Sequence, residues 1–416
     1  MTRYGLLLTA VVTVTLPGML AIVAVVGHER GDAAARVTAA LEGTPLSGPF
    51  PVAPTTARAA VRDNVASVQR VSGAPVTVLS RVTSGQQATG MHLLDLAANA
   101  SLATSYQGVE LVSQSDVGGS VKVVSRVWHE GGGTTFVETS DAAAATAKRS
   151  AAAHAAGTTV ASSDPANGSP EGVFGVTKGL VSQLGKHYVA VYQGSGSAAG
   201  KSASIVEVFR FDGSVAARYW LDRKTMLPLR RELYDTSDKV VSEDSFVQVK
   251  FGALAQPPQA ARSARSAQAA QSAWVAAGAP AKFLTSLTGQ GLRVPATLPG
   301  GLPLYKAAST KTTSGEIVEL EYSDGLYVVS LFVQRGTLAA DMPGWRQVRV
   351  GGQQAYVSGH SVTWAGPGYV YTVIADAPPQ TVTQVVQALP RSGSPGVLDR
   401  LGRGFLRLAR VINPFG

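Results

Sequence analysis

Apolar positions change their spacing along this chain, and each change marks a different kind of element. From Gly5 to Val26 there is no charged residue and no polar face; Arg3 precedes the run, and His28, Glu29 and Arg30 end it. As a helix the run would be about 33 Å long, against a hydrocarbon core of roughly 30 Å. A cleaved signal peptide is the competing reading, since Pro17-Gly18 could end a shorter apolar stretch, but no small-x-small site follows before the charges. The sequence therefore predicts an uncleaved signal-anchor over 1–27, carried by Leu6, Leu7, Leu8, Leu16, Leu20, Ile22 and Val26.

Residues 28–87 are rich in Ala, Thr, Pro and Gly and read as a stalk. Helical spacing then appears at Met91–Ala103, where Leu94, Ala97, Ala98, Ser101 and Leu102 share a face. Period-two runs follow: Tyr106–Gln114, Ser120–His129 and Thr134–Glu138, then Tyr188–Gln193, Ser204–Phe211, Ala217–Leu221, Pro228–Tyr234 and Ser245–Phe251. The Ala/Ser/Gly-rich insertion 141–169 between the two groups reads as a surface loop, and Asp212-Gly213 is a hairpin signal. A linker is expected at 254–287, where β-branched residues give way to Ala, Gln, Ser and Pro. Strand patterns resume at Ile317–Tyr322, Tyr327–Gln334, Gln347–Val350, Gln354–Val357, His360–Ala365 and Tyr369–Ala375, and a helix follows through Val382, Val385, Val386 and Leu389. Two β-rich domains, 88–253 and 288–390, are expected.

In the terminal segment 391–416, Leu398, Leu401, Phe405, Leu408 and Ile412 fall on one arc of a helical wheel, with Arg400, Arg403, Arg407 and Arg410 opposite. Three roles compete for this basic amphipathic tail: docking on its own domain, lying on anionic lipid, or meeting an acidic partner.

Composition narrows the class. Hydrophobic residues make up 45% of the chain and charged ones 15%, which supports large cores rather than disorder. There is no cysteine, so disulfides, thiolate metal sites and thiol nucleophiles are excluded. The net charge of +9 suits nucleic acid, anionic lipid or an acidic protein. If the anchor holds the body outside the cytoplasm, nucleic acid drops out of that set.

No catalytic motif stands up. The run GSGSAAGKS at 194–202 lacks the four-residue spacing between outer glycines that a phosphate loop needs, and a strand rather than a helix follows it, so it reads as a hairpin loop. His28, His92, His129, His154, His187 and His360 show no metal-pair spacing, and His129-Glu130 reads as a polar strand end. No Gly-x-Ser-x-Gly motif is present. The sequence thus predicts neither enzyme chemistry nor a cofactor.

Three stretches carry a resemblance: MHLLDLAANASLATSYQGVELVSQ at 91–114 with VSRVWHEGGGTTFVET at 124–139; RYWLDRKTMLPLRRELYDTSDKVVSEDSFVQVKFG at 218–252; and LPGGLPLYKAAS, ELEYSDGLYVVSLFVQ and VTWAGPGYVYTVIAD in the second domain. In this order they are similar to the MucB/RseB family of sigma-factor regulators. The resemblance implies an α+β fold: a large LolA-like half-open antiparallel β-barrel with a helix, then a smaller α/β C-terminal domain. It also implies a function at the cell membrane with the bulk of the chain extracytoplasmic. There the protein would bind the extracytoplasmic domain of a membrane anti-sigma factor, shield it from proteolysis and respond to a lipid-like ligand. The alternative is a lipid or lipoprotein carrier of the cell envelope. The partner is expected on an exposed β-edge of the second domain, through Tyr322, Tyr327, Val329, Leu331 and Val333.

Overall fold

The structure is a computed structural model that describes residues 7–16, 19–28, 82–141, 159–163, 173–252, 275–276 and 280–390, apart from a few loop positions. The stalk up to residue 81, most of the linker 254–287 and the tail 391–416 with Arg400, Arg403, Arg407 and Arg410 lie outside the described residues.

At the N-terminal end the apolar run is paired as an antiparallel hairpin, β1 (Leu7–Leu16) with β2 (Met19–His28), instead of the expected helix. The residues account for the difference: Val, Thr and Ile crowd the run, and Pro17-Gly18 interrupts any helix through it. Among the described residues no helix is long and apolar enough to cross a membrane.

The first domain begins with α1 (Ser84–Ala103), seven residues earlier than its apolar spacing suggested. A capping box sets that start: Thr83 Oγ1 accepts from the Gln86 N–H at 3.2 Å, and Gln86 Oε1 accepts from the Thr83 N–H at 3.0 Å. Nine strands then form an antiparallel sheet: β3 (Tyr106–Asp116), β4 (Gly119–His129), β5 (Thr135–Asp141), β6 (Thr159–Ser163), β7 (Val189–Ala198), β8 (Lys201–Phe209), β9 (Val215–Asp222), β10 (Pro228–Tyr234) and β11 (Val240–Phe251). Their order is β6-β5-β4-β3-β11-β10-β9-β8-β7, two meanders joined where β3 pairs β11. Strand β6 arises inside the stretch expected to be a loop. A helix the sequence reading missed, α2 (Lys178–His187), precedes β7.

This sheet stays open, ending at β6 and β7, and it curls. Register shifts at Tyr192/Gly194, Val208/Phe209, Pro228/Arg230, Leu233/Tyr234 and Phe246/Gln248 each add local bend and twist. Helix α1 lies directly on β7: a Cβ on Gly90 would sit 2.6 Å from the Ala190 carbonyl oxygen, so only glycine permits the approach. Leu94, Ala97 and Ala98 bury the rest of that contact face.

The second domain contains α3 (Pro280–Gly289), β12 (Val275–Ala276), β13 (Thr297–Leu298), β14 (Leu302–Thr312), β15 (Gly315–Ser323), β16 (Val328–Arg335), β17 (Arg346–Val350), β18 (Gln353–Ser358), β19 (Ser361–Ala365), β20 (Tyr369–Asp376) and α4 (Pro379–Ala388). Its antiparallel order is β12-β14-β15-β16-β20-β19-β18-β17, with β13 on β14. Helix α4 packs Val382, Val385 and Val386 against this sheet, and Trp364 behind it stacks on Tyr371 at 5.6 Å. One apolar core runs through both domains, joining Leu94, Leu184 and Tyr219 of the first to Leu320, Tyr322 and Val329 of the second.

Candidate functional site

The two domains meet along a seam, and the sequence run ELEYSDGLYVVSLFVQ lies at its centre. The turn between β15 and β16 is shaped by its own side chains. Asp324 Oδ1 accepts from the N–H groups of Leu326 and Tyr327, both at 2.9 Å, and Ser323 Oγ accepts from Gly325 N–H at 2.9 Å. Gly325 has φ +96°, and a Cβ there would fall 2.0 Å from Leu184 N and 2.5 Å from Leu180 O, which are backbone atoms of α2. Backbone thus meets backbone across the domains. Tyr188 Oη donates to Asp324 Oδ2 at 2.6 Å, and burial followed by the Asp324 charge pushes this phenol's pKa far up. Arg210 donates to Tyr327 Oη at 2.9 Å, while Tyr327 Oη donates to the Tyr234 carbonyl at 2.8 Å.

A buried ionic cluster closes the other part of the seam. Arg231 of β10 donates through Nη2 to Asp244 of β11 and to Asp376 at the end of β20, and its Nε reaches Asp244 Oδ2 at 2.8 Å. All three side chains are about 2% exposed. One guanidinium faces two carboxylates, and a third, Glu110, lies near Asp244. Burial lifts the Glu110 carboxyl to about 8, with the Asp244 charge adding to the rise. Burial also lifts Asp244, to about 6; Arg231 opposes the rise and Asp376 reinforces it. Arg231 itself is held charged, its burial outweighed by Asp244 and Asp376. Gln114 Nε2 donates to the Ala375 carbonyl at 2.8 Å, a further bond between the domains. Asp376 Oδ1, Gln114 Oε1, Ser242 Oγ and Ser330 Oγ are buried without a hydrogen-bond partner in the protein, so the seam is polar and incompletely satisfied.

A different set of charges lies elsewhere on the first sheet. Arg218 pairs with Glu207, and Arg230 with Glu232 and with Glu243 at 3.1 Å, the guanidinium of Arg230 lying 4.9 Å from the Trp220 ring. These pairs stay within one sheet and remain partly open to solvent.

A second apolar cluster of the first domain is rich in aromatic rings. Tyr106, Phe174 and Phe246 form a chain of ring contacts at 5.6 and 5.1 Å, with Trp220, Leu227 and Leu229 in the same cluster. Phe174 belongs to a single 3-10 turn, Val173–Gly175, and has φ 51°. A cavity of about 30 Å³ between β3, β4 and β11, beside Val109, Trp128 and Val249, has the room of about one water molecule.

The structure places the expected partner residues in the interior. Tyr322, Val329, Leu331 and Val333 are at most 2% exposed and Tyr327 is 8% exposed. Strand β16 is paired on both sides, with β15 and β20, so it offers no free edge. These residues build the core and the seam. Periodicity had no means of finding Arg231, Asp244 and Asp376, because a buried charge on a strand reads as a solvent-facing position until its partner is located. His129, read as a polar strand end, is buried, bonded to Leu102 O at 3.1 Å and Thr135 Oγ1 at 2.8 Å. Burial lowers its pKa, so it is held neutral as part of the framework. The run 194–202 is the end of β7, a turn at Ala199-Gly200 with φ 52° and 69°, and the start of β8. It is a tight hairpin. Among the described residues no group of His, Asp or Glu could hold a metal ion.

No curated protein matches the chain. Among solved structures, the crystal structure of MucB is similar at 18% identity over 73% of this chain and 98% of that one, with a TM-score of 0.43. The Pseudomonas aeruginosa MucA/MucB complex matches at 19% over 73% and 100%, with a TM-score of 0.39. A LolA superfamily protein from Nitrosomonas europaea matches at 10% over 41% and 96%, with a TM-score of 0.19. The family model for the MucB/RseB N-terminal domain matches residues 89–271, which takes in most of α1 and every strand of the curled sheet. The first domain of this chain thus matches the MucB/RseB N-terminal domain over residues 89–271.

Proposed function

We propose that this protein is an extracytoplasmic regulator of a sigma factor: it binds the extracytoplasmic segment of a membrane anti-sigma factor and shields it from proteolysis. The observation that carries this reading is the match to the MucB/RseB N-terminal domain over residues 89–271. The seam supports it, since a second domain locked to the first by Arg231, Asp376 and Gly325 presents the partner with one joined surface. Binding, not bond-making, is the role that surface suits. The test is a digestion time course of the anti-sigma segment with and without the full chain. Cleavage at the same rate in both would remove the regulatory reading.

The apolar run 5–26 is proposed to tether the protein to the membrane. A lone hairpin would leave unpaired backbone groups along both edges in lipid, so tethering requires the run to become a helix there. The protein should then resist alkaline carbonate extraction with its N-terminus intact; an extractable body starting after residue 27 would contradict this.

A second reading, a carrier or sensor of acyl chains, is favoured by Phe174. A non-glycine residue in the left-handed region stores strain of order 1–3 kcal/mol, and this one plugs an apolar cluster. An acyl chain that displaced the ring would relieve that strain. Failure of Phe174→Ala to alter fatty-acid binding would count against it.

A further inference from the structure

The described strands of the second sheet end at β17. Among the described residues, β17 pairs with β18 and with nothing on its other side. The hairpin joining the two strands turns on Gly351 and Gly352, at φ 58° and 81°, and Val350 faces Gln353 across it. Two positive φ values in a two-residue loop make a type I′ turn, and the pair that closes such a turn exchanges both of its hydrogen bonds. Pairs then alternate along the ladder. Val350, Val348 and Arg346 therefore give their N–H and C=O groups to β18, whereas Gln347 and Arg349 point theirs at the open edge. The side chains of Gln347 and Arg349 are exposed, and Val348 and Val350 turn inward on the other face.

Charge decides what can pair there. From Met342 to Ala375 the sequence has no carboxylate, and its formal charges are those of Arg346 and Arg349. A second copy of β17 in full overlap would set the two Arg349 side chains diagonally across from each other on one face, which like charge disfavours. The terminal segment of this chain, with Arg391, Arg400, Arg403, Arg407 and Arg410, carries the same sign. An acidic strand meets no such penalty. Opposite charge also speeds encounter and fixes register.

We propose that β17 is the docking edge for an extended acidic segment of a partner protein, which adds to the second sheet as its next strand beside Arg349. This rests on the regulatory reading above and names the surface by which that partner is held. The backbone of Gln347 and Arg349 supplies affinity, and carboxylates at alternate positions of the partner supply selectivity.

The experiment titrates a short labelled peptide of alternating Glu and Val into the full chain, with alternating Lys and Val as the control. The acidic peptide should bind and the basic one should not. Arg349→Glu reverses the local charge, and Gln347→Pro deletes an outward N–H without removing a bond to β18. Each should weaken binding of the acidic peptide by about tenfold. In the unaltered protein, amide exchange at Gln347 and Arg349 should slow when the peptide is bound, a readout that no folding defect in a variant can confound. Binding of the acidic peptide by both variants as tightly as by the unaltered protein, or exchange protection that misses these two amides, overturns the proposal. An anti-sigma segment protected equally by the unaltered chain and by Arg349→Glu would remove the edge and leave the regulatory reading intact. Edge binding of the acidic peptide without any protection of the anti-sigma segment would do the reverse.

Discussion

Strands β16 and β17 belong to one sheet and read alike in sequence, as short runs rich in Val with polar residues interspersed. Their surroundings differ completely. Strand β16 is buried at every position except Arg335 and bonded along both edges. Strand β17 is bonded along one edge and exposes three of its five residues. Position in the sheet thus separates framework from candidate binding surface. Changes at the seam beside β16 should cost stability, and changes on β17 should cost binding alone.

The largest effect is expected from Arg231→Ala, which leaves Asp244 and Asp376 facing each other without a cation. Breaking a buried pair in this way costs about 3–5 kcal/mol, read as a lower urea midpoint. A loss below about 1 kcal/mol would mean that water reaches the cluster in solution.

Next is Gly325→Ala, whose methyl group would collide with the α2 backbone. We expect roughly 2–3 kcal/mol of destabilisation, the range for a large steric conflict, together with faster proteolysis between the domains. An unchanged melting curve would show that the turn does not sit against α2.

The third concerns pH. Glu110 is raised from 4.5 to about 8 and Asp244 from 3.8 to about 6. An acid that holds its proton more tightly when folded stabilises the fold below its unfolded pKa, and this contribution is lost as pH rises through the folded value. Stability should therefore fall between about pH 4 and 8. Glu110→Gln should recover on the order of 2 kcal/mol at the upper end. Denaturation midpoints measured across this range would refute the claim if they were flat, or if the variant kept the full slope.

The smallest stability effect is expected at Arg349→Glu. An exposed charge on an edge strand should move the midpoint by no more than about 0.5 kcal/mol, even as binding of an acidic peptide drops. A large loss of stability would show that β17 is covered.

Much of the fold was legible because hydrophobic alternation is local. Pro228–Tyr234 was read with its exact bounds, and the other predicted strands of the first sheet fell at or near their true places. Among the elements missed, α2 puts Leu180, Val181 and Leu184 on one face but is short and carries the weak helix formers Gly179 and Gly185, and β14, Leu302–Thr312, ends in a polar Ser-Thr-Lys-Thr run. The candidate site was less legible, for a topological reason. Whether Val329 or Val348 lies at an edge depends on strand order, which no local pattern encodes. Likewise Arg231 and Asp376 are on strands of different sheets, and their pairing depends on how the domains dock.

That pairing spans 145 residues of sequence, and this separation has a kinetic consequence. Contacts between distant residues form late, because the closure of the intervening loop must be completed first. The β9–β10–β11 hairpins can form while Arg231 has only Asp244 for company, whereas the β3–β11 join, which reaches as far along the chain from Tyr106 to Phe251, and the Asp376 bond both wait for large loops to close. The Asp376 bond should then be absent from the folding transition state. Asp376→Asn would accordingly speed unfolding while leaving the refolding rate of the first domain nearly unchanged, so that the seam sets how long the assembled protein lasts and not how quickly its first domain forms.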